Sequence, residues 1–251
     1  MLSQLESEVA GVIRSVQVER ALPVGDELDT LIGFVALMFT RVPWFRATVS
    51  DALAQIVKHV IDLETATPER WEAAVQDAQR QGFDPGLTRE EMREVLDADE
   101  YDITASQNYS LGMMLRMMQG VYPVMRARNW SLLVARDPQD ASFVTSDNPV
   151  NLVPGVEMPA FWSPGLATRG TELTFPLDGE VCLLGKFEDS PTQQQIDSHQ
   201  VAQVNTRSAI GCTRFVYSGR DNFSWMERSG KIGNRDTLLE YARRMKQSED
   251  E

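Results

Sequence analysis

The chain has 251 residues, 24 basic against 37 acidic, a net charge of −13 and 42% hydrophobic residues. This is a globular composition, long enough to bury a sizeable core. Its acidic field disfavours duplex nucleic acid as a partner, and no run approaches the ~20 apolar residues of a membrane helix, so no membrane association is expected.

The first half reads as helices. Leu5, Val9, Val12, Ile13 and Val16 recur at helical spacing, with Ser3 and Glu6 as a capping box at the start. A second helix opens near Asp26. Leu28, Leu31, Ile32, Val35, Phe39 and Val42 form its stripe, while Phe34 and Leu37 add apolar surface on the other side, so most of its faces are expected to be buried. Pro43 ends it. A third helix carries Leu53, Ile56, Val57, Val60 and Ile61 on one face. Thr67-Pro68 opens a fourth, with Trp71, Val75 and Ala78 inward and Gly82 as its stop. Thr88 with Glu91 is a capping box, and Leu87 with Met92 a staple, for a short helix to about Leu96. Asp97–Asp102 is read as a loop. A long helix follows from about Ala105 to Arg128, with a kink at Pro123.

After Asn129 the pattern becomes β. Trp130–Ala135 and Phe143–Thr145 are short strand-like runs, and Thr171–Phe175 with Val181–Leu184 flank Asp178-Gly179 as a hairpin. Asn151–Gly170 reads as a long loop. Ser190-Pro191 is taken to cap a helix running to about Ser208, and Arg214–Ser218 is the last expected strand. Helices followed by strands predict an α+β fold, a helical half packed on one face of a mostly antiparallel sheet. The expected layout is a single domain over 1–251: 1–128 helical, 129–220 sheet and 221–251 a charged tail or helix.

Catalytic signals are sparse. His59 falls off the apolar face of its helix, His199 lies on the helix after Pro191, and neither has an HxxxH or HxxE partner. No Gly-rich phosphate loop is present. Met113, Met114, Met117, Met118 and Met125 read as core filling. The cationic positions Arg228, Lys231, Arg235, Arg243, Arg244 and Lys246 read as a solvated helix face. Cys182 and Cys212 stand outside any CxxC or Cys/His cluster, and the opening residues lack a secretory signal. Two buried thiols in a cytoplasmic protein are therefore expected.

The most distinctive segment is Phe143-Val144-Thr145-Ser146-Asp147-Asn148-Pro149-Val150. Asp147 and Asn148 suit a turn that ends a strand, and the same position suits a carboxylate that binds metal or polarises water. Arg41, at the end of the most apolar helix, can satisfy the last carbonyls or reach a carboxylate such as Asp147.

These residues resemble the bacterial family called domain of unknown function 4238. The resemblance rests on Leu5-Glu6, Phe34 with Thr40-Arg41-Val42-Pro43 and Arg46, Trp130-Ser131-Leu132-Leu133, and the Ser146-Asp147-Asn148-Pro149 element. Thr174-Phe175-Pro176-Leu177, Asn205 and Arg214-Phe215-Val216-Tyr217-Ser218 complete it. Family members usually begin with a further stretch bearing a His-x-x-Val-Pro-type motif, and this sequence is expected to start after it. The resemblance implies a shared fold and no established activity. Two functional readings stand. One is a metal-assisted hydrolase centred on Asp147, helped by Glu6, Asn148 and Arg41. The other, preferred, is a non-catalytic binding or regulatory protein in which Asp147 caps a turn through backbone amides. The residues specify neither a metal, nor a cofactor, nor a partner.

Overall fold

The computed structural model describes residues 2–98, 107–139, 141–155 and 165–249. In chain order the helices are α1 (Leu2–Glu19), α2 (Asp26–Arg41), α3 (Pro43–Thr65), α4 (Pro68–Arg80), α5 (Arg89–Ala98), α6 (Gln107–Arg126), α7 (Ser198–Ile210) and α8 (Arg235–Glu249). The strands are β1 (Asn129–Ala135), β2 (Thr145–Ser146), β3 (Asn151–Pro154), β4 (Thr171–Pro176), β5 (Val181–Lys186), β6 (Gln193–Ile196), β7 (Val216–Tyr217), β8 (Trp225–Met226) and β9 (Ile232–Gly233). They fall into two compact units, Met1–Pro43 with Met114–Glu251, and Trp44–Met113.

The first unit is built on a five-stranded sheet in the order β3-β4-β5-β1-β6. All its pairings are antiparallel except β1 with β6. The fold class is α+β. β1 reads Trp-Ser-Leu-Leu-Val-Ala after its first residue, an almost unbroken apolar run, and such a strand is buried on both faces. One face carries Trp130, Leu132, Val134, Leu173, Phe175 and Leu183 against Val9 and Val16 of α1 and Leu31, Ile32 and Val35 of α2. The edge of Phe34 meets Phe175 with ring centroids 6.1 Å apart. The other face carries Leu133, Cys182 and Leu184 against Val201 and Val204 of α7. Helices therefore cover both faces, where one was expected. Met125 is fully buried, and Met118 packs on the first core.

Five expectations in this unit are corrected. The segment after Ser190-Pro191 is not a helix start: Gln193–Ile196 is strand β6, because parallel pairing with β1 outweighs the helical preference of glutamine. The helix begins at Ser198, where Asp197 and Gln200 form a reciprocal capping box. Asn151–Gly170 is not wholly loop, since its first four residues are β3, paired with β4. Arg214–Ser218 does not hold the last strand, because the β8–β9 hairpin follows and packs Trp225 against Leu238 of α8. Phe143 and Val144 belong to no strand, although Phe143 N–H donates to the Gly179 carbonyl at 2.9 Å. At the chain start α1 already runs through Ser3, so that residue is not the cap.

The second unit is held by local chemistry. Thr67 caps α4, with Pro68 in its first turn. The helix closes on Gly82 (φ 83°), with Phe83 N–H on the Ala78 carbonyl and Gly82 N–H on the Gln79 carbonyl, both at 3.0 Å. Thr88 N–H donates to Glu91 Oε2 at 2.7 Å and Glu91 N–H to Thr88 Oγ1 at 3.3 Å, the expected box of α5. Arg89 and Arg93 donate to the Thr65 carbonyl at the end of α3, at 2.8 and 3.1 Å. α5 extends through Asp97 and Ala98, and the rest of the acidic stretch lies outside the described residues, as does Ala105. Thr65 is the only buried side chain among those described in this unit. The apolar stripe expected on α3 is not inward: Leu53 and Ile61 are half-buried, and Ile56, Val57 and Val60 are exposed.

Candidate functional site

α7 ends at Ile210, and the chain must then reverse to reach β7. Gly211 N–H donates to the Arg207 carbonyl at 2.9 Å. A Cβ on Gly211 would lie 2.5 Å from Asn151 Oδ1, so only glycine fits this approach. β7 pairs antiparallel with β2, and Asp147 N–H donates to the Phe215 carbonyl at 3.1 Å.

Asp147 and Asn148 follow β2 and grip the reversal. Thr213 N–H donates to Asp147 Oδ1 at 2.9 Å, and Arg214 N–H donates to Asp147 Oδ2 at 2.8 Å. Asn148 Nδ2 donates to the Gly211 carbonyl at 2.9 Å. Ser146 Oγ donates to the Asn148 carbonyl at 2.8 Å, so the clamp is itself closed. A carboxylate that accepts two consecutive amides is a charge-assisted anchor, stronger than a neutral turn bond. Cys212 sits in the gripped turn, half-buried, and its Sγ donates to the Ala209 carbonyl at 3.1 Å. Burial first, and then the Asp147 charge, push this thiol above its ordinary pKa.

A second polar anchor lies beneath. Asn205 of α7 is completely buried. Its Nδ2 donates to the Ser142 and Ser224 carbonyls, both at 2.8 Å, and its Oδ1 accepts from Val144 N–H at 2.9 Å. One amide thus ties the approach to β2 and the approach to β8 onto the same helix.

The family model described as "Protein of unknown function (DUF4238)" matches residues 1–222. The chain belongs to this family. No curated protein and no solved structure shows a match.

Arg41 and Glu6 stand apart from this clamp in their bonding. They pair with each other at 3.3 Å between α2 and α1, with 58% and 48% of the side chains exposed. A pair so exposed contributes at most about 1 kcal/mol. Among the described residues no hydrogen bond or ion pair joins Arg41 or Glu6 to Asp147 or Asn148. Nor do the described residues contain a group of three or more His, Cys, Asp or Glu side chains able to hold a metal ion.

In this DUF4238 protein, sequence reasoning missed Arg128. It is 3% exposed, donating to the carbonyls of Thr171, Gly185 and Leu166 and to Thr171 Oγ1 at 2.6–3.1 Å. Burial lowers its pKa to about 10, against the opposing pull of Glu188. The guanidinium also lies over the Phe187 ring, 4.3 Å from its centroid. It sits two residues after the end of α6, where an arginine reads as a helix-end cation, and only the tertiary fold brings those carbonyls to it. Asn205 carried no local signal beyond its place in the family resemblance.

Proposed function

We propose that this chain works by binding, as a regulatory or adaptor protein, and that Asp147 organises its surface rather than carrying chemistry. The observation behind this reading is that each Asp147 oxygen accepts a backbone amide, from Thr213 and from Arg214. The clamp holds the segment that leads into β7 and presents Phe215, just before the strand, and Tyr217, both about half exposed, with ring centroids 6.2 Å apart. Arg214 lies over the Phe215 ring at 5.2 Å. Aromatic and arginine side chains of this kind dominate the energetics of protein–protein contacts, so the partner is a protein surface. The charge of −13 argues against duplex nucleic acid. No helix among the described residues is long and apolar enough to cross a membrane. Two free cysteines fit a cytoplasmic setting.

The test is Asp147→Asn, which keeps one acceptor and turns a donor toward the second amide. Its thermal unfolding midpoint should fall, by about 1–2 kcal/mol in stability. Titration of the native protein with Mg²⁺ or Mn²⁺ should release no binding heat. A metal-binding heat that disappears in Asp147→Asn while the midpoint stays put would overturn the reading.

A further inference from the structure

The β8–β9 hairpin and α8 line a hollow of about 510 Å³, and its walls are braced from behind. Trp225 Nε1 donates to Thr237 Oγ1 at 3.0 Å, tying the hairpin to the first turn of α8. Asn234 Oδ1 accepts the Asp236 and Thr237 amides, both at 3.1 Å, and so caps that helix. Gly233 stands at this joint. A Cβ there would collide with Thr237 Oγ1 and lie 2.7 Å from Trp225 Nε1 and 2.9 Å from Glu227 Oε1. At the hairpin tip Gly230, at φ 80°, turns its N–H onto the Glu227 carbonyl at 2.9 Å. The floor is aromatic: Trp225 is buried and Tyr241 half-buried, with ring centroids 5.3 Å apart.

Two side chains of opposite charge line this hollow without a counter-charge. The Glu227 carboxylate accepts the Ser229 hydroxyl at 3.3 Å, and Arg228 lies over the Tyr241 ring at 5.8 Å. Among the described residues neither forms an ion pair, with the other or elsewhere. The other two charges in the lining, Arg244 and Glu240, answer each other at 3.3 Å. A purely apolar ligand would strip water from Arg228 and Glu227 and return no bond. A phosphate or nucleotide would set its negative charge against Glu227 and Glu240. An amino-acid zwitterion satisfies the whole lining. Its carboxylate matches the guanidinium fork, its ammonium matches the carboxylate, and an apolar side chain lies on the aromatic floor. The size agrees, since small-molecule sites span about 300–1,000 Å³ and a folded partner could not enter.

We propose that this hollow binds a small zwitterion of the amino-acid type, a free amino acid or a short peptide, that carries a large apolar side chain. Arg228 holds the carboxylate, Glu227 holds the ammonium group, and Tyr241, backed by Trp225, carries the side chain. This does not depend on the role of Asp147, and its failure would leave that reading untouched.

Isothermal titration of the full chain with L-phenylalanine and with the dipeptide leucyl-phenylalanine is the test. The tighter of the two should bind with a dissociation constant of about 10–100 µM. A dipeptide that binds about tenfold tighter or more assigns the site to peptides, and a smaller margin assigns it to free amino acids. Acetylating the amine of the tighter ligand, or amidating its carboxylate, should each weaken binding about tenfold. Arg228→Gln should weaken the unblocked ligand about tenfold yet leave the affinity for the amidated one as in the native chain. Glu227→Gln should do the same for the acetylated ligand. Neither variant should move the unfolding midpoint of the free protein. If a variant fails to fold, the blocked ligands on the native chain decide the matter alone. Three results would overturn the proposal. One is no binding heat and no rise in the midpoint with either zwitterion at about 10 mM. The others are an affinity indifferent to blocking both ends, and tighter binding of adenosine monophosphate than of either zwitterion.

Discussion

The two units reach their structures by different physics. In the sheet-centred unit, β1 and β5 are buried on both faces, and each central leucine meets apolar side chains from a helix. In the helical unit only Thr65 is buried among the described side chains, and order comes from caps, a Schellman closure and arginines on helix-end carbonyls. Burial of a leucine contributes about 2–3 kcal/mol and a cap about 1. Long-range burial specifies one core, while caps specify where helices begin and end. A region made mostly of the latter opens more readily.

Substitutions that remove each kind of support sharpen this contrast. Leu132→Ala, at a fully buried site in the middle of β1, should lower stability by about 3–4 kcal/mol in urea denaturation. An effect below about 1 kcal/mol would show that the sheet core is far looser than its burial implies. Thr88→Ala removes one half of the α5 capping box and should cost about 1 kcal/mol, read as faster amide exchange confined to α5. Equal acceleration in β1 would abolish the distinction between the units. Glu91 adds a pH dependence. Its carboxylate, held by Thr88 N–H and then by the Thr88 hydroxyl, has its pKa below the ordinary value. The cap is therefore complete above the ordinary carboxylate range and is lost as pH falls through the lowered value. Protection of α5 should fade in acid before that of the sheet. The smallest effect concerns the thiols. Burial pushes Cys182 up to about 12, while Cys212 is raised but half-buried. A disulfide reagent at neutral pH should modify one thiol slowly in the native protein and two in denaturant. Rapid reaction of both would contradict the packing of α7 on β5.

The same contrast governs what could be read beforehand. The stripes of α1 and α2 and the β4–β5 hairpin at Asp178-Gly179 were legible because periodicity and turn chemistry agree there. The boxes at Thr88 and the stop at Gly82 were legible because they are local. β6 was hidden, since Gln193, Gln194 and Gln195 become a strand only through pairing with β1. β3 was masked by the Pro- and Gly-rich residues that follow it. On α3 the stripe was visible, but periodicity does not say which side a neighbour covers. Of the candidate site, the turn chemistry of Asp147 and Asn148 was readable, whereas its partners at Gly211, Thr213 and Arg214 lie more than sixty residues along the chain.

Asn205 also sets a limit on shortening the protein. The family match stops at residue 222, yet one of the two carbonyls this amide serves belongs to Ser224. A chain ending at the family boundary would leave a fully enclosed N–H without its acceptor. It would also strip Phe223, Trp225 and Leu238 from the cluster around Val144, baring the flank from which β2 emerges. The final thirty or so residues thus act as a keystone for a motif they do not contain.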